Sequence, residues 1–187
     1  MPSLILLGID AGFTATGLVA VDFSANRVTA SRCVRTQPTK QKRGVRVADD
    51  DAERCAFLAR EIREFLQALR PQVVAVELPG GAARGARAQR AMALATGVVV
   101  TVLALGGWAA EWVTPGMGKQ AATGKRDGSK AEVEAAVKAH FAWEPGTLPK
   151  TAAEREHVCD AAAAVMATEH GALVAAARAM RRGEAGD

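Results

Sequence analysis

Two unbroken apolar runs in this chain each stop on a carboxylate. Residues 4–9 (LILLGI) lead into Asp10, and residues 73–76 (VVAV) lead into Glu77. Runs of this length without alternation suit strands covered on both faces, at the centre of a sheet between helical layers. A charge at the end of such a strand is costly unless it is paired or sits at a wet, functional edge. Asp10-Ala11-Gly12 is also good turn chemistry, so the first acid alone leaves a plain turn open. A third acid, Asp160, lies in the helical stretch HVCDAAAAVMA, on an apolar face where a solvated charge has no structural purpose.

The remaining pattern surrounds these strands with helices. Residues 17–21 and 27–34 read as two more strands joined by a turn at Ser24, Ala25 and Asn26, antiparallel to the first. Asp49, Asp50 and Asp51 place negative charge at a helix start, and Leu58, Ile62, Phe65, Leu66 and Leu69 follow at helical spacing until Pro71 ends the run. After a glycine-rich loop, residues 91–105 form a helix apolar nearly all round, as expected of one packed against both the sheet and a second subunit. Residues 108–114 read as a strand, and 115–130 as a turn-rich basic connection. Ser129 and Glu132 form a capping-box pattern for a helix reaching about residue 141. Residues 154–182 read as one final alanine-rich helix, with a tail expected to fray from about 183. No repeat or linker divides the 187 residues, which predicts a single α/β domain over 1–187 with a mixed sheet.

Three widely spaced cysteines, Cys33, Cys55 and Cys159, show neither a zinc-ligand spacing nor a disulfide framework, and a reducing cytoplasm suits them. The apolar stretch 91–105 is shorter than the roughly 18–20 residues that span a bilayer, so no membrane association is expected. A net charge of +4 and a pI of about 9.3 fit an anionic partner. Charge placement is more specific than the total. Arg35, Lys40, Lys42, Arg43 and Arg46 have no acid among them. Arg84, Arg87 and Arg90 follow Glu77, while Lys119, Lys125, Arg126 and Lys130 flank a later glycine-rich turn. Such segments beside an acidic edge would hold phosphates. With no tyrosine and 4% aromatic residues, readout of backbone and shape fits better than a base-stacking platform.

Clustered carboxylates persist where a cation joins them, and hard divalent ions prefer such oxygen ligands. A pair of them about 3.5–4 Å apart is a common apparatus for hydrolysing phosphodiesters. Asp10, Glu77 and Asp160 therefore suggest a metal-dependent nuclease. His157 stands three residues before Asp160, on the same helix face. It could ligate metal or move a proton, although taken alone it reads as a partly exposed helix histidine, like His140 and His170.

The segments GIDAGFTATGLVAVD, CVRT, VVAVE, KQAATGKRDGSKAEV and HVCDAAAAVMA follow one another in the order and approximate spacing of RuvC-type Holliday-junction resolvases. The resemblance covers nearly the whole chain, from residue 4 to about 170. It implies an RNase H-like fold, a five-stranded mixed sheet flanked by helices, in a homodimer. It further implies magnesium-dependent symmetric nicking of four-way DNA junctions, with manganese also supporting activity, in a cytoplasmic, DNA-associated enzyme. By motif, Asp10, Glu77 and Asp160 fall on the metal-binding acids, and His157 on the fourth position of that site. Lys119 and Lys130 fall on DNA-contacting lysines. The family also places an aromatic wedge shortly after the strand acid, whereas ELPGGAARG has none, so weak sequence preference and cleavage of other branched DNA are expected.

Three other readings remain open on the sequence. GIDAGFTATG also resembles the phosphate loop of sugar kinases and actin-like proteins, but 187 residues leave little room for a second lobe. An RNase H-like nuclease acting on RNA would carry the same acids. A DNA-binding module with a dead site would not need all three of them.

Overall fold

The first apolar run forms strand β1 (Ile5–Asp10) at the heart of the sheet, with every residue from Leu6 to Ile9 buried. Strands β2 (Ala15–Asp22) and β3 (Arg27–Arg35) continue from it as an antiparallel meander. The turn between them works through its polar residues. Asp22 Oδ1 accepts from the backbone N–H groups of Ser24 and Ala25, and Asn26 takes the left-handed conformation at φ 50°. On the other side of β1, strands β4 (Val73–Glu77) and β5 (Ala110–Val113) add in parallel. The computed structural model describes residues 3–39, 44, 46–79 and 85–184.

Helix α1 (Val47–Leu69) precedes β4 and ends at Arg70, whose left-handed backbone donates to the Leu66 carbonyl just before Pro71. Helix α2 (Ala86–Gly106) connects β4 to β5, and both helices cover one face of the sheet. There Leu7, Ile9, Leu18, Val74 and Val76 meet Leu58, Ile62, Val99 and Leu103. Helices α4 (Lys130–His140), α5 (Ala152–Thr168) and α6 (Ala172–Glu184) lie on the opposite face, against Leu6, Val19, Val21, Val73 and Ala75. Alternate residues of each strand thus enter different cores, which is why the central strands read as continuous apolar runs.

Three expectations change in the structure. The mixed sheet has six strands rather than five, in the order β5-β4-β1-β2-β3-β6. The extra strand, β6 (Ala142–Trp143), is two residues long and pairs parallel to β3. It carries no periodicity that a sequence could reveal. The supposed basic connection contains helix α3 (Pro115–Thr123), capped by the Thr114 hydroxyl and closed by Gly124 at φ 75°. Gly116 and Gly118 disguise it as loop. The final alanine-rich stretch breaks at residues 169–171, where the Leu173 N–H turns to Glu111 Oε1 at 2.7 Å.

Within the single chain, α2 buries the stripe Ala95, Val99, Val102 and Leu103 against the sheet and leaves a second apolar face exposed. Val100 is 41% exposed and Leu105 85%. By length and mean hydropathy (1.6) α2 could cross a membrane, yet its buried stripe packs it onto the sheet.

Candidate active site

Asp10 and Glu77 are direct neighbours in the β1–β4 ladder, and the Ala11 N–H donates to the Glu77 carbonyl at 3.1 Å. Partners in parallel register project to the same face. That face is the one covered by α5, because Leu6 and Ala75, two residues earlier or four, enter its core. Two glycines set how closely α5 approaches. A Cβ at Gly8 would stand 2.1 Å from the Ala161 carbonyl oxygen, and one at Gly17 2.0 Å from that of His157. Any side chain at these strand positions would lift the helix away from the acids.

The close approach brings His157 Nδ1 to 2.7 Å from Asp10 Oδ2. One turn along α5, Asp160 joins the same cluster. Burial pushes the Glu77 carboxyl up to about 8, with repulsion from Asp10 and Asp160 adding to it and Lys119 opposing. Burial likewise pushes Asp160 up to about 6, reinforced by Asp10 and opposed by Lys130, His157 and Lys119. Neither carboxylate accepts a hydrogen bond from a side chain among the described residues.

A buried and a half-buried acid that repel each other, without such donors, are what a bound cation would relieve, and three carboxylates with an imidazole are donors suited to magnesium or manganese. In this chemical sense the residues fit a hard divalent ion. Among the described residues no three of them converge on a single metal-sized point, and Asp10 is engaged by His157 instead.

The expected cations divide into two groups. Lys119, on α3, lies near Glu77 and Asp160, and Gly118 beside it is small enough to leave room for the Glu77 carboxylate. Lys130, at the start of α4, pairs with Glu156 and acts on Asp160. Lys125 pairs with Glu132 at 3.5 Å, in the α4 capping box. Arg87 and Arg90 project from the first turns of α2, by α1, where Arg90 pairs with Asp51 at 2.8 Å. Arg84 lies outside the described residues, as do Lys40, Lys42 and Arg43. His140, paired with Glu169 at 2.9 Å, keeps its structural reading. Sequence reasoning missed the packing roles of Gly8, Gly17 and Gly118; the only signal was glycine inside otherwise regular patterns.

Comparison with known proteins gives a consistent result. The family model described as Crossover junction endodeoxyribonuclease RuvC matches residues 6–168. A Thermus thermophilus RuvC solved in complex with Holliday junction substrate has a TM-score of 0.73 at 24% identity, covering 92% of this chain and 96% of that one. A second Thermus thermophilus RuvC structure gives 0.69 at 24% identity, covering 92% and 95%. The yeast mitochondrial Holliday junction resolvase Ydc2 gives 0.62 at 13% identity, covering 97% and 85%. No curated protein sequence matches significantly. The mixed sheet and its flanking helices are those of these RNase H-like neighbours, and the family match extends through all the strands and the helix that carries His157 and Asp160. The chain belongs to the RuvC family of crossover junction endodeoxyribonucleases, hydrolases acting on DNA.

Proposed function

We propose that this protein nicks four-way DNA junctions by metal-assisted hydrolysis, with Asp10, Glu77, His157 and Asp160 as its active site. The observation that carries this reading is the Asp10–Glu77 register under a helix that places His157 and Asp160 over it. RuvC-type resolvases depend on a divalent metal; here the three carboxylates would hold Mg²⁺, with Mn²⁺ an effective substitute. Bound there, the ion supplies activation of a water and stabilisation of the leaving oxygen. The chain's own groups supply orientation. Asp10 holds the His157 ring through Nδ1, which leaves Nε2 as the nitrogen facing further partners. Lys119 and Lys130 hold the phosphates beside the acids, and Arg87 and Arg90 extend that contact along the DNA.

The apolar outer stripe of α2, with Val100 and Leu105, is the face for a second copy of the chain. A dimer with two such sites suits paired nicks on symmetric junctions, in a cytoplasmic, DNA-associated enzyme. The test is incubation with labelled four-way junctions, flaps, forks, linear duplex and RNA-containing junctions, with and without magnesium. Cleavage of four-way DNA junctions only with metal is expected, together with cutting of flaps and forks, because Leu78 and Pro79 after Glu77 supply no aromatic wedge. Cutting confined to RNA, or absent on all branched DNA, would overturn the proposal.

Substitutions at three residues probe the individual roles. Lys119→Ala and Lys130→Ala should each weaken junction binding and lower the slope of log affinity against log salt by about one. An unchanged slope in both would make these lysines ordinary surface charges. His157→Asp should keep more activity than His157→Ala or His157→Leu, since it restores an oxygen acceptor at that helix face. Equal rates in all three variants would remove His157 from the chemistry.

A further inference from the structure

A second feature lies on the other face of the same sheet edge. A groove of about 900 Å³ opens between the turn after β1, the start of α1 and the start of α2. Its volume is that of a small-molecule site. Phe13, Pro38 and Leu94 give it an apolar floor, while Arg46, Arg87 and Arg90 reach it from two separate helix starts.

Arg54 is built into the wall. Its guanidinium lies 4.1 Å from the centre of the Phe13 ring and donates to Thr36 Oγ1 from both Nε and Nη2. Its side chain is only 13% exposed. Asp50 and Asp51 also hold it, at 4.0 and 3.7 Å, and Phe13 is itself buried, so the pair closes the groove wall and leaves an edge for a base to lie against. Two of the remaining cations are held by acids that a phosphate can replace: Arg46 by Asp49 at 2.7 Å and Arg90 by Asp51 at 2.8 Å. Four arginines against two aspartates leave the lining positive.

From the nuclease reading above and this geometry, we propose that the groove receives one unstacked nucleotide of the bound DNA strand. Its base lies against the apolar floor beside Phe13 and Arg54, and its phosphate takes Arg46, Arg87 and Arg90. The placement follows from the chain path. Phe13 comes three residues after Asp10, so a strand with a phosphate at Asp10 passes the turn at residues 11–14 to reach the groove. A paired base cannot enter such a groove, whereas a branch point offers bases whose stacking is already broken. Recognition inside the groove replaces part of what an inserted aromatic wedge would contribute.

The test uses the full chain carrying Asp10→Asn, at saturating concentration, on four-way junctions with 5-iodouracil at successive positions around the branch. A single-stranded thymidine oligonucleotide with the same label is the parallel arm. Photocrosslinks from one junction position to Phe13 or to the facing turns of α1 and α2 are expected. Leu94→Glu, which fills the floor and sets a negative charge against a bound nucleotide, should lower that yield about tenfold while junction binding persists. Should Leu94→Glu fail to fold, Arg87→Glu on the exposed rim should lower the yield similarly under saturation. Crosslinks confined to other segments, or unchanged in the folded variant, would overturn the proposal. The nuclease reading is judged separately, by metal-dependent cleavage with the unaltered chain. Cleavage without groove crosslinks removes the groove alone, and groove crosslinks on the single strand without junction cleavage remove the resolvase reading alone.

Discussion

Asp10→Asn is expected to abolish junction cleavage, by about a thousandfold or more, while junction binding stays within about twofold. The carboxylate ends a buried strand beside Glu77 and faces His157 at 2.7 Å. Asparagine keeps the size and can still accept from the imidazole, so the local geometry survives. What it removes is the negative charge that a divalent ion requires. Phosphate contacts come from lysines and arginines on other elements, which leaves affinity for DNA largely intact. Gel-shift titration and single-turnover cleavage on the same labelled junction separate the two effects. Near-normal magnesium-dependent cutting by purified Asp10→Asn protein would exclude Asp10 as an essential ligand, whereas loss of binding and cutting together would point to a folding defect.

The parts of this architecture legible in the sequence were those written in consecutive residues. The apolar runs before Asp10 and Glu77 predicted buried strands, and the structure sets them side by side. The capping box at Ser129 and Glu132 is present as read. What remained hidden depends on contacts between distant segments. Nothing local in Gly8 or Gly17 says that a helix carbonyl 140 or more residues away lies within reach of a Cβ there. Helix α3 was masked by glycines whose purpose is tertiary, Gly118 making room for the Glu77 carboxylate. The apolar composition of α2 marks more than one packed face, but which of its residues meet the sheet is fixed only once the fold is assembled. The groove between α1 and α2 was invisible for the same reason. Phe13, Arg54 and Leu94 share no pattern until the fold assembles them.

The electrostatics of Glu77 lead to a second large effect, on stability. Its folded carboxyl is pushed up to about 8 by burial first and then by Asp10 and Asp160, against an ordinary value of 4.5. Between those two values the folded chain binds more protons than the unfolded chain, so stability without metal falls as pH rises through that window. Asp160, raised to about 6 from 3.8, adds a fall of the same sign lower in the range. Both costs are fully present above pH 8. Glu77→Gln removes the larger one without changing side-chain size. In chelator at pH 8.5 the variant should be more stable than the parent by roughly 2–4 kcal/mol, raising the melting midpoint by roughly 5–10 °C. At pH 5, where Glu77 is already protonated in the folded chain, the two should melt within about 2 °C of each other. Millimolar magnesium should narrow the gap at pH 8.5 by stabilising the parent alone, because a cation replaces the proton as partner of the carboxylate. Thermal melts at the two pH values, with chelator and with magnesium, check each step. A parent and variant with the same pH dependence in chelator would mean that Glu77 carries no buried charge and that this sheet edge needs no cation to neutralise it.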